Sequence, residues 1–478
     1  MKPSKEHTMV QRRPKVMSAR WIVMGLVFSC LLAGAAARAE ASEPAQNITC
    51  QWQRLDNGER RSQHTLVYLP DSQGIMAFAG GDMRRSGSSL KDDLHFLPMA
   101  DASSKTWKRV TVSGGPGDRM QHSAILRQVP GGGQEMVTFG GDDALPGGGT
   151  LTWRSPLLGG GFPRRAFLGG RGPLDVVKSI HKLNFNPDGA VAGWQQMNVP
   201  GGPFRTDHSA IWAPSEDGMI VFGGRRGEGA NTAENTTWML TLGASPEWSR
   251  LDSSAGPSKR FGHTAIEQTS AVRMVVFGGT KDWTTGMNDV WALRLLDGFD
   301  FAEWERVATT GTPPRGRFDH AAAYLPNLDW MVIVGGTANG QRELDDVWAL
   351  DLSQDPAVWM SLSPTGNGPP GLIGLAGTYS ATGDMAVFQG GQVGPDARDQ
   401  TWGLSCGAPT VPTETPSPSP TATQAPGPSA TPTTPTATAT FTLPPPTNTL
   451  VPPITSTPTR GATEVMVWRV FMPLSEQR

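Results

Sequence analysis

The chain has 478 residues, 18% of them charged, with 41 Lys and Arg against 43 Asp and Glu and a formal net charge of −2. Seven of the basic residues and one of the acids fall in residues 1–39, so the remainder carries 34 basic against 42 acidic residues, a net charge near −8. That balance argues against a nucleic-acid partner, which needs a basic face. Length alone suggests two or three domains, but the composition of both ends removes them from the folded part.

In residues 1–39, Lys2, Lys5, Arg12, Arg13, Lys15 and Arg20 precede the apolar run 21–37, and Ala37-Arg38-Ala39 fits a small-residue cleavage site. This is the pattern of a secretory signal peptide, with a retained membrane anchor as the alternative. Arg12-Arg13 is followed by Pro14-Lys15 and not by the hydrophobic pair of a twin-arginine signal. Cleavage would remove Cys30 and leave Cys50 and Cys406.

The stretch from Arg317 to Leu362 reads as one complete unit. His320 to Tyr324, Trp330 to Val334, Val347 to Leu352 and Trp359 to Leu362 are four short strands, the second ending at Gly335-Gly336. Such a meander is a single sheet that cannot bury both faces alone. Copies surround it. Glycine doublets fall at Gly80, Gly140, Gly223, Gly278, Gly335 and Gly390. Arg61/His64, Arg119/His122, Arg205/His208, Arg260/His263 and Arg317/His320 share one spacing, and Trp107, Trp194, Trp248, Trp304 and Trp359 open fourth strands. The last unit stops after its third strand, at Cys406, without its tryptophan. Trp52 to Leu55, ahead of the first unit, is the strand it lacks. The bookkeeping predicts a ring of six units whose last is completed by the N-terminal strand. Cys50 and Cys406 then meet at one end of the closing pair and form a disulfide in an oxidising compartment. The period, the diglycines and the spaced aromatics resemble the kelch repeat over residues 50–406, which implies an all-β, six-bladed β-propeller spanning residues 48–407.

Two segments depart from the period. The step from Gly140 to Gly223 is 83 residues, about 27 longer than its neighbours, and the excess lies within residues 142–174, after a second strand. Loops after second and fourth strands share one face of such a ring, and a long loop there is a common place for function. Residues 408–460 are Thr/Pro-rich and read as a disordered, extended tether. Residues 461–478 regain apolar side chains, but the run contains Arg469 and is too short to span a bilayer, so it reads as a sorting or docking tail.

Five of the eight histidines occupy one repeat position, which points to blade packing; no HExxH occurs, and no metal ligand, cofactor or catalytic residue is assigned. Kelch-like copper oxidases use a tyrosine crosslinked to cysteine with further Tyr and His ligands. This chain has only Tyr68, Tyr324 and Tyr379, and its cysteines are committed to the clasp. Most tryptophans are likewise repeat residues, leaving Trp153 and Trp283 off the register as ligand contacts. The loop face carries Arg84, Arg85, Arg154, Arg164, Arg165, Arg225, Arg226, Lys281 and Arg342. This rim suits an anionic partner, either an acidic protein segment or a polysaccharide, through bidentate guanidinium contacts. Asp82, Asp142, Asp143, Glu228 and Asp282 on the same loops would offset it. The expectation is an exported, non-catalytic binding or scaffolding module, secreted or at a bacterial cell surface, touching a membrane only through its leader or tail. The alternative is an envelope carbohydrate isomerase or lyase with charged residues near the axis.

Overall fold

The structure, a computed structural model, describes residues 48–408 apart from short internal stretches, the largest at 144–150, 154–165 and 169–174. The expected leader, the tether beyond residue 408 and the tail lie outside the described residues. Among those described, the regular structure is β apart from one 3-10 turn at Pro214–Glu216.

Six sheets of at least four strands carry the fold. Blade 1 runs Thr65–Leu69, Gly74–Asp82, Ser89–Pro98 and Lys108–Val110 from inside to outside; blade 2 runs Ser123–Gln128, Gln134–Phe139, Ile180–Phe185 and Val191–Met197. Blades 3 and 4 begin at Ser209–Ala213 and Thr264–Gln268 and end at Glu247–Leu251 and Ala302–Arg306. Blade 5 begins at Ala321–Leu325 and ends at Ala357–Leu362, which Thr309–Thr310 joins in parallel. Each innermost strand touches the innermost strands of the two neighbouring blades, so the ring is closed.

Blade 6 is built from both ends of the domain. Ile373–Ser380, Met385–Val393 and Asp396–Gly407 are completed by Thr49–Arg61, which pairs antiparallel with Asp396–Gly407 and sets Trp52 opposite Leu404. Cys50 stands opposite Cys406 and the two are disulfide-bonded, as the strand count predicts.

The repeat residues explain how blades pack. In blades 2 to 5 the second residue of the doublet donates its N–H to the next blade: Gly141 to Arg205 O, Gly224 to Arg260 O, Gly279 to Arg317 O and Gly336 to Leu372 O, at 2.8 to 2.9 Å. The first has little room for a side chain in blade 3, where a Cβ on Gly223 would lie 2.9 Å from Arg260 O and 2.8 Å from the His263 ring. In blade 1 this first place is held by Ala79, at φ +57°, and not by Gly80 as the doublet suggests; Arg61 donates to Ala79 O just as Arg260 and Arg317 donate to Gly278 O and Gly335 O. A phenylalanine at the end of the second strand wedges between the histidine and tryptophan of the following blade. Phe222 lies 5.2 Å from His263 and 4.6 Å from Trp304, and Phe78, Phe139 and Phe277 repeat the contact.

Four histidines also bridge blades by hydrogen bonds through Nε2: His122 with Thr65, His208 with Ser123, His263 with Ser209 and His320 with Thr264, at 2.8 to 3.0 Å. Their Nδ1 atoms, and both ring nitrogens of His64, are buried without a partner. Burial, with the adjacent repeat arginines, holds all five imidazoles below their ordinary range, His208 at about 3.

Two predictions follow from the packing. A histidine whose folded pKa is depressed favours its neutral form in the native state, so its contribution is whole above the unfolded value of 6.5 and drains as pH falls toward the folded value. Each such imidazole removes about 1.4 kcal/mol per pH unit in that window. Urea midpoints should therefore fall steeply between pH 6.5 and pH 5; a flat profile would show that these rings find partners when protonated. The disulfide closes a sequence separation of 356 residues, and chain entropy gives it at most about 5–6 kcal/mol. Reduction, or the Cys50→Ser/Cys406→Ser pair, should lower the urea midpoint accordingly.

Candidate functional site

At the centre of the loop face one residue per blade, directly before the repeat histidine position, forms a circle. Gln63, Gln121, Asp207, Gly262, Asp319 and Gly374 all have left-handed backbones, with φ between +53° and +64°. Each N–H donates to the carbonyl of the preceding member: Gln121 to Gln63, Asp207 to Gln121, Gly262 to Asp207, Asp319 to Gly262, Gly374 to Asp319 and Gln63 to Gly374, at 2.7 to 3.1 Å. The circle surrounds the axis and fixes what its side chains can reach. Two members are glycines because their neighbours need the space: a Cβ on Gly262 would lie 2.7 Å from Asp319 Oδ1, and one on Gly374 would lie 2.9 Å from Gln63 Cγ.

Arg225, just beyond the blade 3 doublet, turns inward onto this circle. Its Nε pairs with Asp207, Nη2 donates to Gln121 Oε1 at 3.0 Å and to Asp142 Oδ2 at 3.2 Å, and Nη1 donates to Gly227 O at 3.1 Å. The guanidinium is 2% exposed, between carboxylates 3% and 0% exposed. Burial works against its charge, but Asp207 and Asp142 outweigh burial and hold the pKa above the usual arginine range. Asp319 is half-buried beside this arrangement. Burial, reinforced by Asp207 and opposed by Arg225, pushes its carboxyl up to about 8, so it carries a proton near neutrality.

Trp283 closes over this cluster from the loop after the second strand of blade 4. Its backbone sits at φ +65°, a conformation rare for a bulky residue. The turn is held by Thr280 Oγ1, which accepts from Trp283 N at 3.2 Å, and by Asp282 Oδ1, which accepts from the N–H groups of Thr284 and Thr285 at 2.9 and 3.0 Å. The indole packs against Phe261 and Phe318, with centroids 4.5 and 5.9 Å away, and the Arg225 guanidinium lies 5.5 Å from it. It remains partly exposed.

Of the residues singled out from the sequence, the structure brings Arg225 and Trp283 together. Arg225 is not an open rim group; it is consumed by Asp207 and Asp142, which correct an unpaired reading of it. Arg84 is half exposed and paired with Asp82 at 2.5 Å, and Arg226 is exposed and paired with Glu234 at 2.6 Å. Lys281 and Arg342 are exposed. Arg85, Arg154, Arg164 and Arg165 lie outside the described residues, and of Trp153 only the backbone is described, in a two-stranded pair where it faces Ala166. The sequence reading missed Asp207, Asp319, Gln121, Phe261 and Phe318. Their signal was available as the two residues between the repeat arginine and histidine.

The family model for the KLHDC2/KLHL20/DRC7 kelch-repeats domain matches residues 167–395. Adagio-like protein 3 of Oryza sativa subsp. japonica is 31% identical over 311 residues, covering 64% of this chain and 43% of that protein. Adagio protein 3 of Arabidopsis thaliana is 32% identical over 201 residues, covering 41% of this chain and 30% of that one. The Leucine-zipper-like transcriptional regulator 1 homolog of Drosophila melanogaster is 26% identical over 349 residues, covering 64% and 33%. The chain thus spans less than half the length of these curated relatives.

The two kinds of arginine separate on substitution. Arg225→Ala should cost about 3–5 kcal/mol, because it leaves Asp142 and Asp207 buried without a cation. Arg84→Ala, at a half-exposed pair, should stay within about 0.5 kcal/mol. Urea unfolding of the two variants measures both.

Proposed function

Since the folded part of this chain is a kelch-repeat β-propeller, we propose that it is an exported binding module for a protein partner, engaged through the loop face around Trp283. The observation that carries this reading is the division of labour among side chains. The repeat histidines, arginines and most tryptophans are absorbed by blade packing, while an aromatic ring in a left-handed turn is held partly exposed beside the axis. Preorganised aromatic groups supply contact area at low entropic cost and are frequent anchors of interfaces. Lys281 and Arg342 stand exposed on the same loops and favour an acidic segment or an anionic glycan. The clasp between Cys50 and Cys406 supports an oxidising compartment outside the cytosol, which agrees with the basic and apolar leader in the sequence.

One observation favours a second reading, a carbohydrate isomerase or lyase. Asp319 carries its proton near neutrality beside the arginine-bound Asp207, and two neighbouring carboxyls in unlike surroundings can divide acid and base roles.

Arrays of acidic peptides and of carboxylated glycans distinguish these. Trp283→Ala and the Lys281→Glu/Arg342→Glu pair should each reduce retained signal about tenfold if the loop face binds. Unchanged retention by both variants would remove the loop-face reading. Turnover of a sugar that Asp319→Asn abolishes would establish the enzymatic one.

A further inference from the structure

All three tyrosines of the chain stand at one repeat position. Tyr68, Tyr324 and Tyr379 are each the fourth residue after the histidine position of an innermost strand, a position held by Leu375 in blade 6. Leu126, Trp212 and Glu267 hold that place in blades 2, 3 and 4. Five residues of extended strand separate this position from the hydrogen-bonded circle, about 16 Å at ~3.3 Å per residue. The six positions therefore lie toward the opposite, turn face, where Tyr68, Leu126, Trp212, Tyr324 and Tyr379 each rest one side on the core between neighbouring blades. All six are partly exposed, and in blades 1 to 5 the residues on either side of them are buried.

The hydroxyls anchor the rings to the turns of this face. Tyr324 donates to Asp329 at 2.7 Å, Tyr379 donates to Asp384 at 2.8 Å, and Tyr68 shares a hydrogen bond with Thr382 at 2.7 Å. Packing alone does not ask for aromatic residues here, since Leu126 serves in the same place.

Neutral donors meet two carboxyls at this end: Asp329 accepts from Gln268, Ser270 and Tyr324, and Asp384 from Asn327 and Tyr379. Among the described residues no cation pairs with Glu267, Asp329 or Asp384, while the nearby guanidiniums are already taken: Arg127 by Asp217 and Glu135, Arg273 by Glu305. Burial alone acts on the Glu267 carboxyl and raises it to about 7. Four aromatic rings with three carboxyl groups and no partner cation form the complement of a long cationic side chain, whose apolar stem lies along ring faces and whose head meets a carboxylate.

We propose that the turn-face end of the axis docks an arginine- or lysine-bearing segment of a partner protein, with Tyr68, Trp212, Tyr324 and Tyr379 as the aromatic wall and Glu267 as the acid that faces the cation. This rests on the reading of the chain as a protein-interaction module but uses the face opposite Trp283.

Fluorescence anisotropy on the full-length, disulfide-intact protein tests it, with a labelled peptide of alternating glycine and arginine and a glycine and glutamate counterpart of equal length. The arginine peptide should saturate, and the glutamate peptide should bind at least about tenfold more weakly. Trp212→Leu, which copies blade 2, and Tyr324→Ala should each weaken the arginine peptide about tenfold, and Glu267→Gln at least about threefold. Tyr324→Phe keeps the ring and loses the hydroxyl, and should bind within about twofold of the unmodified protein. Trp283→Ala should leave this binding unchanged, so failure on one face is read separately from failure on the other. If Tyr324→Ala does not fold, Trp212→Leu and Glu267→Gln decide the matter. Lack of saturation, equal binding of the two peptides, or full binding by Trp212→Leu and Glu267→Gln would overturn the proposal.

Discussion

The circle of six backbone hydrogen bonds at the axis is the constraint on which the rest of the molecule depends. Each blade contributes one left-handed residue that donates backward and accepts forward, so the relation between neighbours is repeated until it closes on itself. A left-handed backbone costs about 1 kcal/mol or more at a non-glycine residue, and four of the six members are Gln or Asp. The cost is offset because a displaced member would break bonds to two blades at once. The disulfide works on the same closure from the rim. The circle orders the blades around the axis, while Cys50 and Cys406 hold the two chain ends in a single sheet.

Closure at the axis also decides which polar groups remain available. Arg225 and the repeat arginine Arg260 are both buried, yet they answer to different demands. Arg260 satisfies Gly278 O and Asp289 within its own blade, an arrangement that Arg317 repeats with Gly335 O and Asp346. Arg225 has no such counterpart in the repeat and reaches across blades 2 and 3, to Asp142, Gln121 and Asp207. It is an irregular feature in a regular fold, and it pairs with Asp207 of the circle and with Asp142 outside it. Asp319 lies at the end of that arrangement, too far from full compensation to ionise easily. Among the described residues the loop face thus gathers carboxyl groups at its centre and has exposed basic groups, Lys281 and Arg342, around it.

Much of the fold was legible because strand count, diglycine spacing and tryptophan placement are local properties that each blade repeats. The closing strand could be read from Trp52 because the last blade lacked its tryptophan. The register of blade 1 could not be read in the same way, since the Gly80-Gly81 pair disguises the use of Ala79 and Gly80. The candidate site was harder for a related reason. Arginines in loops look alike in sequence, and whether one meets solvent or a carboxylate depends on contacts between blades far apart in the chain; Arg225 and Gln121 are 104 residues apart. Trp283 was legible because it breaks the register, whereas Asp207 and Asp319 sit inside it and look like part of the repeat.

That contrast bears on how function is lodged in a repeat fold. A position used once per blade is occupied by framework residues when its environment recurs from blade to blade, as with the histidines, four of which meet the same hydroxyl position. The tyrosine position differs. It is equally regular in the chain, but its occupants are Tyr, Leu, Trp, Glu, Tyr and Tyr, and only their partial exposure is common to all six. Uniform place with unlike chemistry means that packing does not dictate the residue there. At the inner edge of the blades, where strands leave one side of each side chain uncovered, the fold supplies a scaffold of fixed radius and leaves the chemistry to be chosen. A propeller of this kind therefore has two axial ends with different content: one drawn tight by the backbone circle and its bound guanidinium, the other carrying aromatic rings and carboxyl groups that, among the described residues, no cation meets.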